Sequence, residues 1–146
     1  MKKFKTPLRY PGGKSRATKI LLEYIPNNFD YYVEPFIGGG SMAIALTKQR
    51  PDLKVVINDL YYPVFAFWTA LRDAGPQMQS HLHNIKTYLM DHDDKEDILK
   101  AHKEAFNKAK DKLKENKDIY ETAINFYIAN KCSFSGLSEN SSFSAQ

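Results

Sequence analysis

Three consecutive glycines, Gly38, Gly39 and Gly40, stand between an apolar run and a helical pattern, and no other stretch restricts the fold as strongly. Tyr31 to Phe36 reads as a short strand. Met42, Ile44, Ala45 and Leu46 follow at helical spacing. Strand, glycine turn and helix are how an open α/β sheet forms a nucleotide-type pocket at the carboxyl end of its first strand. Side chains at such a turn would keep a ligand from the backbone and from the helix N-terminus. A second β-branched run, Leu53 to Asp59, suits a buried parallel strand.

The turn admits more than one ligand. Gly38-x-Gly40-x-x-Ala43 satisfies the dinucleotide fingerprint, a weak signal when it stands alone. Glu34 lies at the strand end just ahead of the glycines, where a pyrophosphate would come close and be repelled. A carboxylate there suits a ligand with positive charge near the turn, and S-adenosylmethionine carries both an ammonium and a sulfonium. Asp59, at the end of the second strand, stands about 20 residues beyond the glycines, where an acid accepts the ribose hydroxyls of an adenosine. The competing role for Asp59 is to cap the next helix.

Composition bounds the class. The chain has 146 residues, 42% hydrophobic and 13% aromatic, which is globular and of single-domain length. The net charge of +4 permits nucleic-acid binding. A lone cysteine, Cys132, excludes a disulfide framework within the chain and favours a reducing compartment. Met1 to Tyr10 lacks the apolar run of a signal peptide, and no segment reaches membrane-spanning length, so a soluble, cytoplasmic protein without a membrane partner is expected.

Lys2, Lys3, Lys5, Arg9, Lys14, Arg16 and Lys19 fall within the first twenty residues, which contain no acid. That arm suits phosphate contact. Gly12-Gly13-Lys14-Ser15 imitates the end of a Walker loop, but Leu8 stands where its first glycine is needed, and no strand precedes it. Tyr10 and Lys14 read instead as an aromatic face and a cation flanking a glycine bend. A helix follows with Ile20, Leu21, Tyr24 and Ile25 on its apolar face. Beyond the second strand, Val64, Phe65, Phe67, Trp68 and Leu71 mark an aromatic helix, and Gly75-Pro76 a helix stop and start.

After Gly75 the α/β rhythm is lost. The pattern predicts helices from Pro76 to Met90 and from Asp94 to Lys117. A third is opened by a capping box at Asp118-Ile119-Tyr120-Glu121, with Ile119, Ala123, Ile124, Tyr127 and Ile128 inside. His81, His83, His92 and His102 lack metal-ligand spacing, so no metal site is expected. The tail from Asn130 to Ser144 is polar with interspersed aromatics, a composition able to bond phosphates and to stack on or wedge between bases.

Tyr10-Pro11-Gly12-Gly13-Lys14, Glu34-Pro35-Phe36-Ile37-Gly38-Gly39-Gly40, Asn58-Asp59 and Asn130-Lys131-Cys132-Ser133-Phe134-Ser135-Gly136-Leu137 occur in that order. The ordered set resembles the amino-terminal part of the Dam-like DNA adenine-N6 methyltransferases. The resemblance implies a partial Rossmann-like α/β sheet with helices, followed by a helical insertion that begins a target-recognition domain. It implies a cofactor-binding part over residues 1–74 and a truncated recognition region over 75–146. Tyr10, Lys14, Glu34, Phe36, Gly38, Gly40 and Asp59 would bind S-adenosylmethionine, and Arg9, Lys131, Phe134 and Ser135 would face double-stranded DNA. Ser135 replaces an Asn common in GATC-specific members, and Glu139 falls near their basic reader, so the resemblance leaves the target sequence open and GATC is not assumed. The family's catalytic Asp/Asn-Pro-Pro-Tyr motif does not occur in this sequence, so no catalytic residue is assigned. The chain is expected to be inactive alone, an amino-terminal fragment whose open partner options are a second chain supplying the missing half or a homodimer, or to serve as a non-catalytic cofactor- or DNA-binding module.

Overall fold

A computed structural model describes residues 5–115, 117–134, 136 and 141–144. The chain divides into two compact units, residues 1–60 and 61–146.

Among the described residues, the first unit is a mixed α/β arrangement. A 3-10 turn at Lys14–Arg16 precedes α1 (Thr18–Glu23), then β1 (Tyr31–Glu34), α2 (Ser41–Gln49) and β2 (Lys54–Ile57). The strands pair in parallel, Tyr31 opposite Lys54 and Glu34 opposite Ile57. Parallel neighbours need a crossover, and α2 supplies it. The helix stops at Gln49 because Pro51 disfavours helix in the residue before it. Arg50 then ties the loops together. Its guanidinium donates to the carbonyls of Asn27 (3.1 Å) and Phe29 (3.3 Å) and pairs with Asp52.

The strands alternate sides. Tyr32, Glu34, Val55 and Ile57 are half-buried, and Glu34 reaches the start of α2. Tyr31, Val33, Lys54 and Val56 stand on the opposite face and are exposed. The expectation of a buried parallel strand is corrected on this point, because among the described residues only one face of the strand pair is covered. The apolar stripe of α1 also differs from the sequence reading. Thr18 is buried and Leu21, Leu22 and Ile25 are half-buried, an i, i+3, i+4, i+7 set, whereas Ile20 (59%) and Tyr24 (81%) are exposed. Thr18 passes as an inward position because its hydroxyl donates to the Lys14 carbonyl (2.9 Å).

The second unit is helical among its described residues, apart from one isolated bridge: α3 (Tyr62–Met90), α4 (Lys95–Glu115) and α5 (Ile119–Cys132). α3 is kinked at Ala74, φ −139° and ψ 34°. Pro76 removes a donor and crowds the carbonyl four residues earlier, so the helix breaks there. α5 packs along both α3 and α4. Phe126 sits at the centre, edge-on to Phe67 (6.2 Å) and Tyr61 (6.1 Å), while Phe67 stacks on Tyr127. The Asp118 carboxylate accepts from the Glu121 N–H (2.8 Å), capping α5 as the box predicts. Ile119 departs from its expected inward place and is exposed, because it lies in the first turn, before the stripe that meets α3 and α4.

Phe126 is 1% exposed. Its replacement by Ala is expected to destabilise the helical unit by about 3–5 kcal/mol, read as a fall in the urea midpoint of helical ellipticity.

Candidate functional site

The backbone of the first unit brings Glu34 and Asp59 to the glycine turn from two strands. The parallel ladder runs past the end of β1: the Asn58 N–H donates to the Glu34 carbonyl (3.0 Å) and the Ile37 N–H to the Asn58 carbonyl (2.9 Å). The turn then closes with Gly40 N–H on the Ile37 carbonyl (2.8 Å). Gly38 (φ 47°) and Gly40 (φ 70°) occupy the left-handed region that favours glycine.

Each carboxylate accepts from a backbone N–H at the turn or at the start of α2. Gly38 N–H donates to Asp59 Oδ2 (2.9 Å), and Ala43 N–H donates to Glu34 Oε2 (3.1 Å). Gly40, the N-cap of α2, has no side chain to cap with, so Glu34 fills that role from the neighbouring strand. The N-cap of α3 is Tyr61, and Asp59 is spent on the glycine turn. Burial raises the Glu34 carboxyl above its ordinary value, outweighing the Ala43 N–H and the Tyr32 hydroxyl, which pull it down.

Tyr10 lies against the turn from the amino-terminal arm. A Cβ added at Gly38 would come 2.7 Å from Tyr10 Cε1, and one at Gly39 would come 3.0 Å from Tyr10 Cβ. The glycines therefore admit an aromatic ring of the protein itself. Burial, and then the charge of Asp59, push the Tyr10 phenol upward. The Ser15 and Ser41 hydroxyls share a hydrogen bond (2.9 Å) that ties the arm to the first residue of α2.

Of the residues singled out in the sequence, Tyr10, Glu34, Gly38, Gly40 and Asp59 gather at the turn. Lys14 folds back on its own bend, its ammonium donating to the Gly12 carbonyl (3.0 Å). Phe36 points outward and is 78% exposed. Arg9 is half-buried. In the second unit, the Lys131 ammonium stands over the Tyr127 ring (5.2 Å), and Phe134 is exposed. Ser135, Leu137 and Glu139 lie outside the described residues. Tyr32 and the Ser15–Ser41 pair were missed. Strand alternation puts Tyr32 and Glu34 on one face and would have found the first, while no local signal joins the two serines.

A family model described as D12 class N6 adenine-specific DNA methyltransferase matches residues 10–144. The chain is similar to the type II methyltransferase M.MjaIII of Methanocaldococcus jannaschii, 24% identical over 138 residues, covering 89% of this chain and 46% of the relative. It is also similar to the type II methyltransferase M.CviBI of Paramecium bursaria Chlorella virus NC1A, 28% identical, covering 56% and 32%. A third relative, the type II methyltransferase M1.LlaDCHI of Lactococcus lactis subsp. cremoris, is 28% identical, covering 57% and 30%. The chain thus spans under half the length of each relative.

Two outcomes test the site's geometry. Gly38→Ala puts a side chain into a left-handed position and into Tyr10, and is expected to cost at least about 1–2 kcal/mol in chemical denaturation. The Tyr10 phenol should fall back toward its ordinary value as its ring is displaced. The Tyr32 phenol is pushed up to about 12 by burial, then by the charge of Glu34 and the hydrogen bond to it. Its protonated form is favoured in the fold, so its stabilising contribution is whole below the ordinary value of 10.0 and lost as pH rises through about 12. Ultraviolet titration should show a late-ionising phenol that Tyr32→Phe removes.

Proposed function

The chain belongs to the D12 class N6 adenine-specific DNA methyltransferases, and on that footing we propose that its glycine turn binds S-adenosylmethionine and that its helical unit contacts double-stranded DNA. One observation carries the cofactor reading. Two of the turn and helix N–H groups open to a phosphate already donate to Asp59 and Glu34. A pyrophosphate seated on this turn would lie beside both carboxylates. A cationic ligand meets favourable charge without displacing either. This disfavours a dinucleotide and suits the ammonium and sulfonium of S-adenosylmethionine.

In this reading Glu34 faces the charged methionine end, with its position held by Ala43 and Tyr32. Asp59 accepts from the ribose hydroxyls. An ionised carboxylate has about four acceptor positions, so it serves them while keeping the Gly38 N–H. Tyr10 supplies an aromatic wall, Lys14 a cation on the neighbouring bend, and Gly38, Gly40 and Phe36 the turn itself. The bound cofactor would supply an electrophilic methyl carbon. The strand–turn–helix–strand order with parallel pairing supports a Rossmann-like half-sheet as the scaffold.

The helical region from about residue 75 is assigned to target recognition, with Lys131, Phe134 and Ser135, and Arg9 from the first unit, toward DNA. No Asp/Asn-Pro-Pro-Tyr run occurs in the sequence. Cofactor and DNA binding are therefore assigned to these residues, and methyl transfer is not expected from this chain alone.

Calorimetric titration with S-adenosylmethionine tests the reading. Saturable binding is expected, weakened in Asp59→Ala by about 1.5–3 kcal/mol, as for hydrogen bonds to a charged group, with no binding of NAD. Absence of binding to the folded chain, or uptake of NAD instead, would overturn it.

A further inference from the structure

At the end of α5, two polar side chains are wholly buried. Asn130 and Ser133 are each 0% exposed, and burying such groups is costly unless they are bonded. Both bond to Gly136. Asn130 Nδ2 donates to the Gly136 carbonyl (2.8 Å), and Ser133 Oγ accepts from the Gly136 N–H (2.9 Å). Ser133 Oγ also donates back to the Asn130 carbonyl (3.1 Å). Gly136, at φ 79°, thus has both backbone groups held by side chains of the helix end.

A second tether lies on the other side of Phe134. Its N–H donates to the Ser142 carbonyl (3.1 Å), and the Ser144 N–H donates to the Cys132 carbonyl (2.9 Å), forming an antiparallel bridge between Ser133 and Phe143. Phe143 packs against Phe106 (5.8 Å), and Lys110 donates to the Ser141 carbonyl (2.9 Å). Between these tethers Phe134 is held in solvent, 73% exposed. A large ring with no place in the core is anchored on both sides by buried polar groups and backbone bonds. Such a bracket fits a ring that must be presented, since a loose one would lose ordering entropy on contact.

We propose that Asn130 and Ser133 are positioning residues that fix Phe134 for stacking on, or wedging between, the bases of duplex DNA. This rests on the assignment of the helical unit to DNA contact. Neither residue touches DNA in this scheme. Both act through Gly136 and the backbone of Phe134.

The test is a double-mutant cycle on the full chain, read by fluorescence anisotropy of a labelled duplex of random sequence. Phe134→Ala is expected to weaken binding roughly fivefold to a hundredfold, as for loss of a base–aromatic stack. Asn130→Ala should weaken it in the same range, and Asn130→Ala with Phe134→Ala should be no weaker than Phe134→Ala alone. Multiplying effects, or parent-like binding by Asn130→Ala while Phe134→Ala is weak, would overturn the proposal. Ser133→Ala carries the same cycle if Asn130→Ala does not fold. Failure of the parent to bind duplex, or indifference to Phe134→Ala, would overturn the DNA reading itself. Hydrogen exchange at the Gly136 amide then decides the bracket: protection lost in Asn130→Ala and in Ser133→Ala supports it, and unchanged protection overturns it.

Discussion

Two carboxylate-to-amide hydrogen bonds hold the glycine turn, and the rest of the first unit is arranged around them. Glu34 ends one strand and Asp59 follows the other, yet they bond to Ala43 and Gly38, on either side of the same turn. The turn is thereby tied to both strands as well as to its own neighbours in the chain. Left-handed glycine is conformationally loose in isolation, and these bonds convert that looseness into one defined path. They also set the sign of the site, because amide dipoles that would attract an anion are answered by fixed negative charge.

Tyr10 completes the same logic from outside the sheet. Its ring rests where any residue larger than glycine at position 38 would collide, and its Cβ stands close to Gly39. The glycines serve here as a seat for an aromatic side chain of the protein itself. The Ser15–Ser41 bond keeps that ring's arm joined to α2, so the Tyr10 ring and the helix N-terminus share a tether.

Where structure is decided by neighbours in sequence, the residues announced it. The glycine turn, the stop before Pro51, the kink ahead of Pro76 and the Asp118 cap all follow from local chemistry. Gly38 and Asp59 were legible as one site because strand ends in a parallel pair lie side by side. Besides the Ser15–Ser41 pair, three further features were not legible. Thr18 reads as polar, but hides its hydroxyl on the preceding turn and takes an inward place. The exposure of Tyr31, Val33 and Val56 depends on what covers the sheet, and a β-branched run looks the same whether one face or both are buried. Asn130 and Ser133 lie in what reads as a polar tail, and only the path of the following backbone reveals that they are interior.

The glycine turn and the end of α5 use one device, side chains bonded to the backbone around a left-handed glycine. At the turn, side-chain acceptors satisfy backbone N–H groups and leave a negatively charged seat. At the helix end, buried side chains satisfy both backbone groups of a left-handed glycine and leave an aromatic ring in solvent. In each place the conformation is set by polar bonds that hydrophobic packing could not replace, since packing alone does not select a left-handed residue or the direction of an N–H. A ligand contact made by a single side chain gains little if that side chain must first be ordered. Side chains that order such a contact therefore matter as much as the one that makes it, and the polar groups that fix these two glycines, half-buried at the turn and buried at the helix end, are placed to do that ordering.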